Sequence, residues 1–196
     1  MIFAIILAAG RSRRMGAQKL LLPLAGKPVI ARIVDELLHS PLDQLLVVVG
    51  CDGNEIQKAL NGRSVGFLSN PEPAGDMLSS IRCGLRALPA GCSAVLIVLG
   101  HQSNITAQLV TQLIVKHAES GAGIIVPTHD GHRAHPVLVD ARYRDELLSR
   151  HDGVGLRGFL NAHPAEVISL EIPDGTILRD MDNPEDYQRE LAGGAD

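Results

Sequence analysis

The sequence predicts an α/β protein: three layers, α/β/α, around a mostly parallel sheet with an antiparallel addition. Two observations carry the prediction. Short continuous apolar runs recur at residues 2–7, 45–49, 65–68, 95–99 and 123–126, and runs without polar alternation suit strands covered on both faces. Amphipathic stretches separate these runs, which implies right-handed crossovers between parallel strands.

Each element follows from its own pattern. The run at 2–7 is a strand that stops at Ala8-Ala9-Gly10. Residues 29–38 set Val29, Ile33 and Leu37 on one helical face; residues 77–88 do the same with Met77, Ile81, Leu85 and Leu88. Leu109 and Leu113 mark a helix over 106–117. The run at 137–139 follows closely on Val126 and is the antiparallel addition. Short helices near 143–149 and 156–162, a strand at 167–170 and a closing helix from Pro184 complete the chain. One domain over 1–191 is expected, and a Gly- and Ala-rich tail over 192–196 is expected to be flexible.

Composition narrows the function. The chain of 196 residues carries a net charge of −4, which argues against a nucleic-acid surface. With no Trp, two Tyr and three Phe, the core is aliphatic and aromatic stacking on a base is not expected. The three cysteines, Cys51, Cys83 and Cys92, form no C-x-x-C pair, which suits free thiols in the cytoplasm. The N-terminal apolar run lacks the positive region of a signal peptide, and no apolar stretch is long enough to span a membrane.

Against that acidic background, the segment after the first strand is cationic. Arg11, Arg13, Arg14 and Lys19 occur with Gly10 and Gly16, and no acid appears before Asp35. Glycines let backbone amides approach an anion, and the cations hold a polyphosphate. Neither common phosphate-loop pattern is present, and the lack of G-x-G-x-x-G ranks a nicotinamide-dependent oxidoreductase last.

Residues 7–19 match L-A-A-G-x-S-x-R-M-G-x-x-K. This resembles the nucleotidyltransferase signature, and in its Leu-Ala-Ala-Gly start the molybdenum cofactor cytidylyltransferase family. The resemblance implies a single-domain Rossmann-like nucleotidyltransferase fold and a loop that holds a nucleoside triphosphate. Ala9, where guanylyl-transferring relatives usually carry Gly, narrows the base site toward a pyrimidine.

Further segments carry the resemblance. Asn70-Pro71 and Ser79-Ser80 resemble the family's second nucleotide-binding stretch; Asp76 departs from its usual Gly and reads best as a helix cap. His132 to Leu138 resembles R-x-G-H-P-V-L, whose His-Pro turn lines the acceptor side, here His135 and Pro136. Asp180-Met181-Asp182-Asn183-Pro184-Glu185-Asp186 resembles D-[IL]-D-T-P-E-D, whose second Asp is a metal ligand. That ligand maps to Asp182, with Asp180 in support. Asn183 and Pro184 also fit the first positions of a helix. The family's other metal-binding Asp falls on His101, in Gly100-His101-Gln102-Ser103. Three readings stay open there: a ligand for Mn²⁺ or Zn²⁺, a cationic phosphate contact, or a weakened site. A fourth is a histidine that merely bonds a backbone carbonyl.

The resemblance thus assigns nucleotide binding to Leu7, Ala8, Ala9, Gly10, Arg11, Arg14, Lys19, Asn70, Ser79 and Ser80. Arg14, Lys19 and Asp182 act at the reacting phosphates. The resemblance further implies that Asp182, with whatever His101 can offer, holds a divalent cation, Mg²⁺ or Mn²⁺. The implied reaction moves CMP from CTP to a molybdopterin-type phosphate and releases pyrophosphate. The alternative is a weakly active accessory protein that binds nucleotide and cofactor for a molybdenum hydroxylase.

Overall fold

The first apolar run becomes β1 (Ile2–Ala8) in a computed structural model that describes residues 1–10, 12, 15, 17–51, 53–72 and 75–193. Next come β2 (Pro23–Leu24), β3 (Lys27–Pro28), α1 (Val29–Leu38), β4 (Gln44–Val49), α2 (Gly53–Ala59), β5 (Gly66–Ser69) and α3 (Met77–Ala87). The middle of the chain gives β6 (Ala94–Leu99), α4 (Ala107–Ser120), β7 (Ile124–His129), β8 (His132–Arg133) and β9 (Val137–Asp140). The last third gives α5 (Arg144–Ser149), α6 (Gly155–Ala162), β10 (Val167–Glu171) and α7 (Pro184–Gly193).

The main sheet runs in the order β10, β7, β9, β6, β1, β4, β5, with β8 paired to β7. β1 is parallel to β4 and β6, and β4 to β5. β9 is antiparallel to both of its neighbours, β6 and β7, while β10 is parallel to β7. The antiparallel addition is therefore inserted within the sheet. The strands from β10 to β5, apart from β9, all point the same way and end on one edge.

Alternation along β1 builds both layers at once. Ala4 and Ile6 pack with Ile30, Ile33 and Leu37 of α1 and Val110 and Leu113 of α4. Phe3 and Ile5 face Ile81 and Leu85 of α3, Leu147 of α5 and Phe159 of α6. Burying each such side chain contributes about 1.5–3 kcal/mol, which offsets the ordering of the backbone.

Three short elements escape the sequence pattern. Apart from Gly53, α2 buries only Ile56, too little to show a helical stripe. The β2–β3 hairpin turns through Ala25 and Gly26, both at positive φ, as its tight mirror-image turn requires. β8 is only two residues long. At the C-terminus, α7 runs through Gly193 and takes in the first two residues, 192 and 193, of the Gly- and Ala-rich segment. Residues 194–196 lie outside the described residues.

Gly84 in α3 sits directly on β1. A Cβ there would come within 2.6 Å of Ile5 Cγ2, and Ile5 is fully buried and hemmed in. Gly84→Ala is expected to lower stability by about 1–3 kcal/mol from overpacking. That outweighs the helix-propensity gain of up to about 1 kcal/mol. Urea titration should show a lower midpoint at unchanged slope; an unchanged midpoint would mean that α3 can slide off β1.

Candidate functional site

In open α/β sheets ligands sit beyond the carboxyl ends of the strands. A cavity of about 700 Å³ opens there. Leu7, Ala9 and Gly10 bound it after β1, Gly50 and Cys51 after β4, and Asn70 and Glu72 after β5. Met77 and Ser80 of α3, His101 after β6, and Ser12, Lys19, Asp76, Asp180 and Asp182 complete the wall.

Ser12 shapes the first loop. Its hydroxyl donates to Gln18 Oε1 at 2.8 Å and accepts from the Lys19 amide at 3.1 Å. A 3-10 turn, Lys19–Leu21, starts there and buries Leu20 in the core. The Lys19 ammonium is thereby aimed at Asp182 Oδ1, 2.8 Å away, with the lysine side chain only 12% exposed. Partial burial strengthens that attraction relative to water.

The 180–182 segment is held from behind. Asp186 accepts from the amides of Asp182 and Asn183, at 2.9 and 3.2 Å, and Asn183 accepts from the Asp186 amide at 2.8 Å. This reciprocal cap starts α7 where the sequence placed Asn183 and Pro184. Met181 is buried, so the carboxylates on either side of it reach the cavity. Ser103 and Asn104 bond Glu190 of α7, which ties the loop carrying His101 to the same unit.

His101 Nε2 lies 2.9 Å from Asp180 Oδ1. That hydrogen bond holds the Asp180 carboxyl below its usual range, with help from the nearby Lys19 charge; desolvation and the Asp182 carboxylate push the other way. His101 and Asp182, expected as one metal pair, thus engage different partners, Asp180 and Lys19. The three-ligand cluster that appears among the described residues lies elsewhere, at His129, Asp130 and Glu171.

At the start of α3, Asp76 accepts from the Ser79 amide at 2.9 Å and so caps the helix. The Ser79 hydroxyl donates to the Asp76 carbonyl at 2.8 Å. Asn70 Nδ2 donates to Ser79 Oγ at 2.9 Å and to Ser80 Oγ at 3.0 Å, and Asn70 Oδ1 accepts from the Glu72 amide. Asn70 and Ser79 therefore act as scaffold. Ser80 accepts from Asn70 and lines the cavity.

Of the residues marked in the sequence, Leu7, Ala9, Gly10, Lys19, Asn70, Ser80, His101 and Asp182 meet at the cavity. Ala8 is turned into the core. Arg11 and Arg14 lie outside the described residues. Ser12, Gly50, Cys51 and Glu72 line the cavity unannounced by the sequence. For Gly50, Cys51 and Glu72 the available signal was position just after a strand.

His135 and Pro136 do not line the cavity. The His135 Nε2 is buried without a partner. Burial depresses its pKa from 6.5 to about 4; the Asp180 charge opposes this and His101 adds to it. A histidine that charges more readily unfolded than folded stabilises the fold above the unfolded value. That stability is lost as pH falls from 6.5 toward about 4. His135→Gln should flatten the urea-midpoint curve across this window. An unchanged curve would assign the acid sensitivity to other groups.

Among the described residues no helix is long and apolar enough to cross a membrane. The MobA-like NTP transferase domain matches residues 4–167. The chain is 26% identical over 187 residues to the molybdenum cofactor cytidylyltransferase of Escherichia coli (strain K12), covering 95% of this chain and 93% of that protein. It is 31% identical over 128 residues to the bifunctional protein GlmU of Shouchella clausii (strain KSM-K16). That match covers 64% of this chain but only 28% of GlmU. The crystal structure of the Mycobacterium tuberculosis rv0371c homolog from Mycobacterium sp. strain JC1 superposes with a TM-score of 0.86 at 26% identity, over 98% of this chain and 96% of that one. Sheet order, strand-end cavity and sequence match agree, and the chain belongs to the MobA-like NTP transferase domain family of nucleotidyltransferases.

Proposed function

We propose that this protein transfers CMP from CTP to the terminal phosphate of a molybdopterin-type acceptor, releasing pyrophosphate. One observation carries the reading: a single cavity joins the Ala9-Gly10 turn, the Lys19 ammonium and the carboxylates of Asp180 and Asp182. An acceptor phosphate oxygen attacks the α-phosphorus as the bond to pyrophosphate breaks. Catalysis is then positioning and charge neutralisation. Lys19 and Arg14 offset triphosphate charge, the Gly10 turn offers backbone amides, and the Ser80 O–H donates to the nucleotide.

The donor set suits a hard divalent cation, because Asp180 and Asp182 present oxygen ligands on one wall. Asp182 would hold Mg²⁺ or Mn²⁺ with the Asp180–His101 pair beside it, and the ion would supply charge neutralisation for the phosphates. The cytidine preference rests on Ala9. A Cβ on Gly50 would lie 2.8 Å from the Ala9 carbonyl oxygen, so the two backbones are in close contact and Ala9 has no room to withdraw. Its methyl group narrows the base site. The similarity to the Escherichia coli cytidylyltransferase supports the same choice.

Titration calorimetry should show CTP binding more tightly than GTP; equal or reversed affinity removes the cytidylyl reading. Turnover with molybdenum cofactor, in Mg²⁺ and in Mn²⁺, should then release pyrophosphate. Tight CTP binding with no turnover in either metal would favour the accessory-protein reading.

Lys19→Ala should weaken CTP binding by about 1.5–3 kcal/mol, the range for hydrogen bonds to charged groups. Its circular dichroism spectrum should be unchanged, since the lysine side chain itself belongs to neither core cluster. Normal CTP binding by this variant would take the triphosphate away from the loop.

A further inference from the structure

β7 and β10 end on the same sheet edge as the cavity, on the far side of β9 from β6. At those ends His129, Asp130 and Glu171 gather. We propose that these three residues form a second divalent-metal site, selective for a transition-metal ion such as Zn²⁺ over Mg²⁺.

The histidine is set up as a ligand. His129 Nδ1 lies 2.8 Å from the Ile172 carbonyl oxygen. A carbonyl only accepts, so Nδ1 carries a proton and Nε2 is the ring nitrogen left for a metal. A carbonyl behind one ring nitrogen is the usual orienting contact for a metal-bound imidazole.

The carboxylates are set up to meet it. Nε2 is 3.6 Å from Asp130 Oδ2. That exceeds hydrogen-bond length. It is close to the roughly 3.4 Å that separates two ligands of a tetrahedral ion held at about 2.1 Å. The three donor atoms all lie within 4.8 Å of one another. Glu171 is held by two contacts: Oε2 accepts from the Thr128 hydroxyl at 2.6 Å, and Oε1 accepts from the backbone amide of Asp130 at 2.8 Å. Parallel pairing of β10 with β7 sets Glu171 beside Thr128.

Gly175 keeps the approach to Nε2 clear. An added Cβ there would stand 2.8 Å from Nε2. Gly175 does not take up the left-handed backbone that would itself call for glycine, so the constraint at this position is the space beside the imidazole. One imidazole among carboxylates favours a transition metal over a purely oxygen-seeking ion.

The test is Zn²⁺ calorimetry on the full chain, in an Asp182→Asn background that disables the cavity's own cation site. One equivalent should bind. His129→Gln and Asp130→Asn should each weaken it by at least about tenfold, the lower bound for losing even an orienting partner. Asp130 is 86% exposed, so Asp130→Asn does not threaten the fold. Gly175→Ala should weaken Zn²⁺ while removing no ligand. Mg²⁺ in excess should not displace Zn²⁺. Zn²⁺ affinity unchanged in His129→Gln and Asp130→Asn overturns the site and leaves a simple His129–Asp130 ion pair. Equal competition by Mg²⁺ overturns the selectivity.

Discussion

Lys19 and Asp182 stand 163 positions apart in the sequence, and their 2.8 Å ion pair joins the two segments that make the cavity. The first segment leaves β1, the second precedes α7. Each is fixed independently: Ser12 and a buried Leu20 fix the lysine, and the Asp186 cap fixes the aspartate. The contact is therefore held by rigid neighbours on both sides, and little side-chain entropy opposes it. Everything else in the site is arranged around this junction. His101 takes the adjacent carboxylate, Asp180, and the loop carrying His101 is bonded to α7.

The junction is possible because β1 is central. Its backbone pairs with β4 on one side and β6 on the other, and its side chains feed both helical layers. A strand committed on four sides has no freedom until it ends. Cationic and glycine-containing residues follow at once, where backbone amides first become available to a ligand. The strand's end thus passes directly from the core, at Ala8, to the cavity wall, at Ala9 and Gly10.

The α3 side shows how scaffold and ligand groups are divided. Asn70, Asp76 and Ser79 are linked by hydrogen bonds at the start of α3, and of this set with Ser80 only Ser79 is absent from the cavity wall. The same division appears at β7 and β10. Thr128 and Ile172 orient Glu171 and His129. In both places the outer contacts are hydrogen bonds between elements brought together by sheet register.

The sequence by itself determined the layer order, the strands that make the sheet and the caps at Asp76 and Asn183. These follow from local rules: apolar period and the preference of short polar side chains for helix starts. The α2 helix, the β2–β3 hairpin and β8 were not legible, because two-residue strands and a helix with a single buried isoleucine leave no periodic trace. Nor was the pairing inside the site. Residues 101, 180 and 182 were all visible as candidates, but their partners depend on how the β6 loop packs against α7. Tertiary structure alone gave His101 to Asp180 and Asp182 to Lys19, bonded Ser79 to Asn70, buried the His135 Nε2 and gathered His129, Asp130 and Glu171. Such contacts join segments far apart in the chain, and their geometry is set by sheet register and packing, which no local pattern encodes.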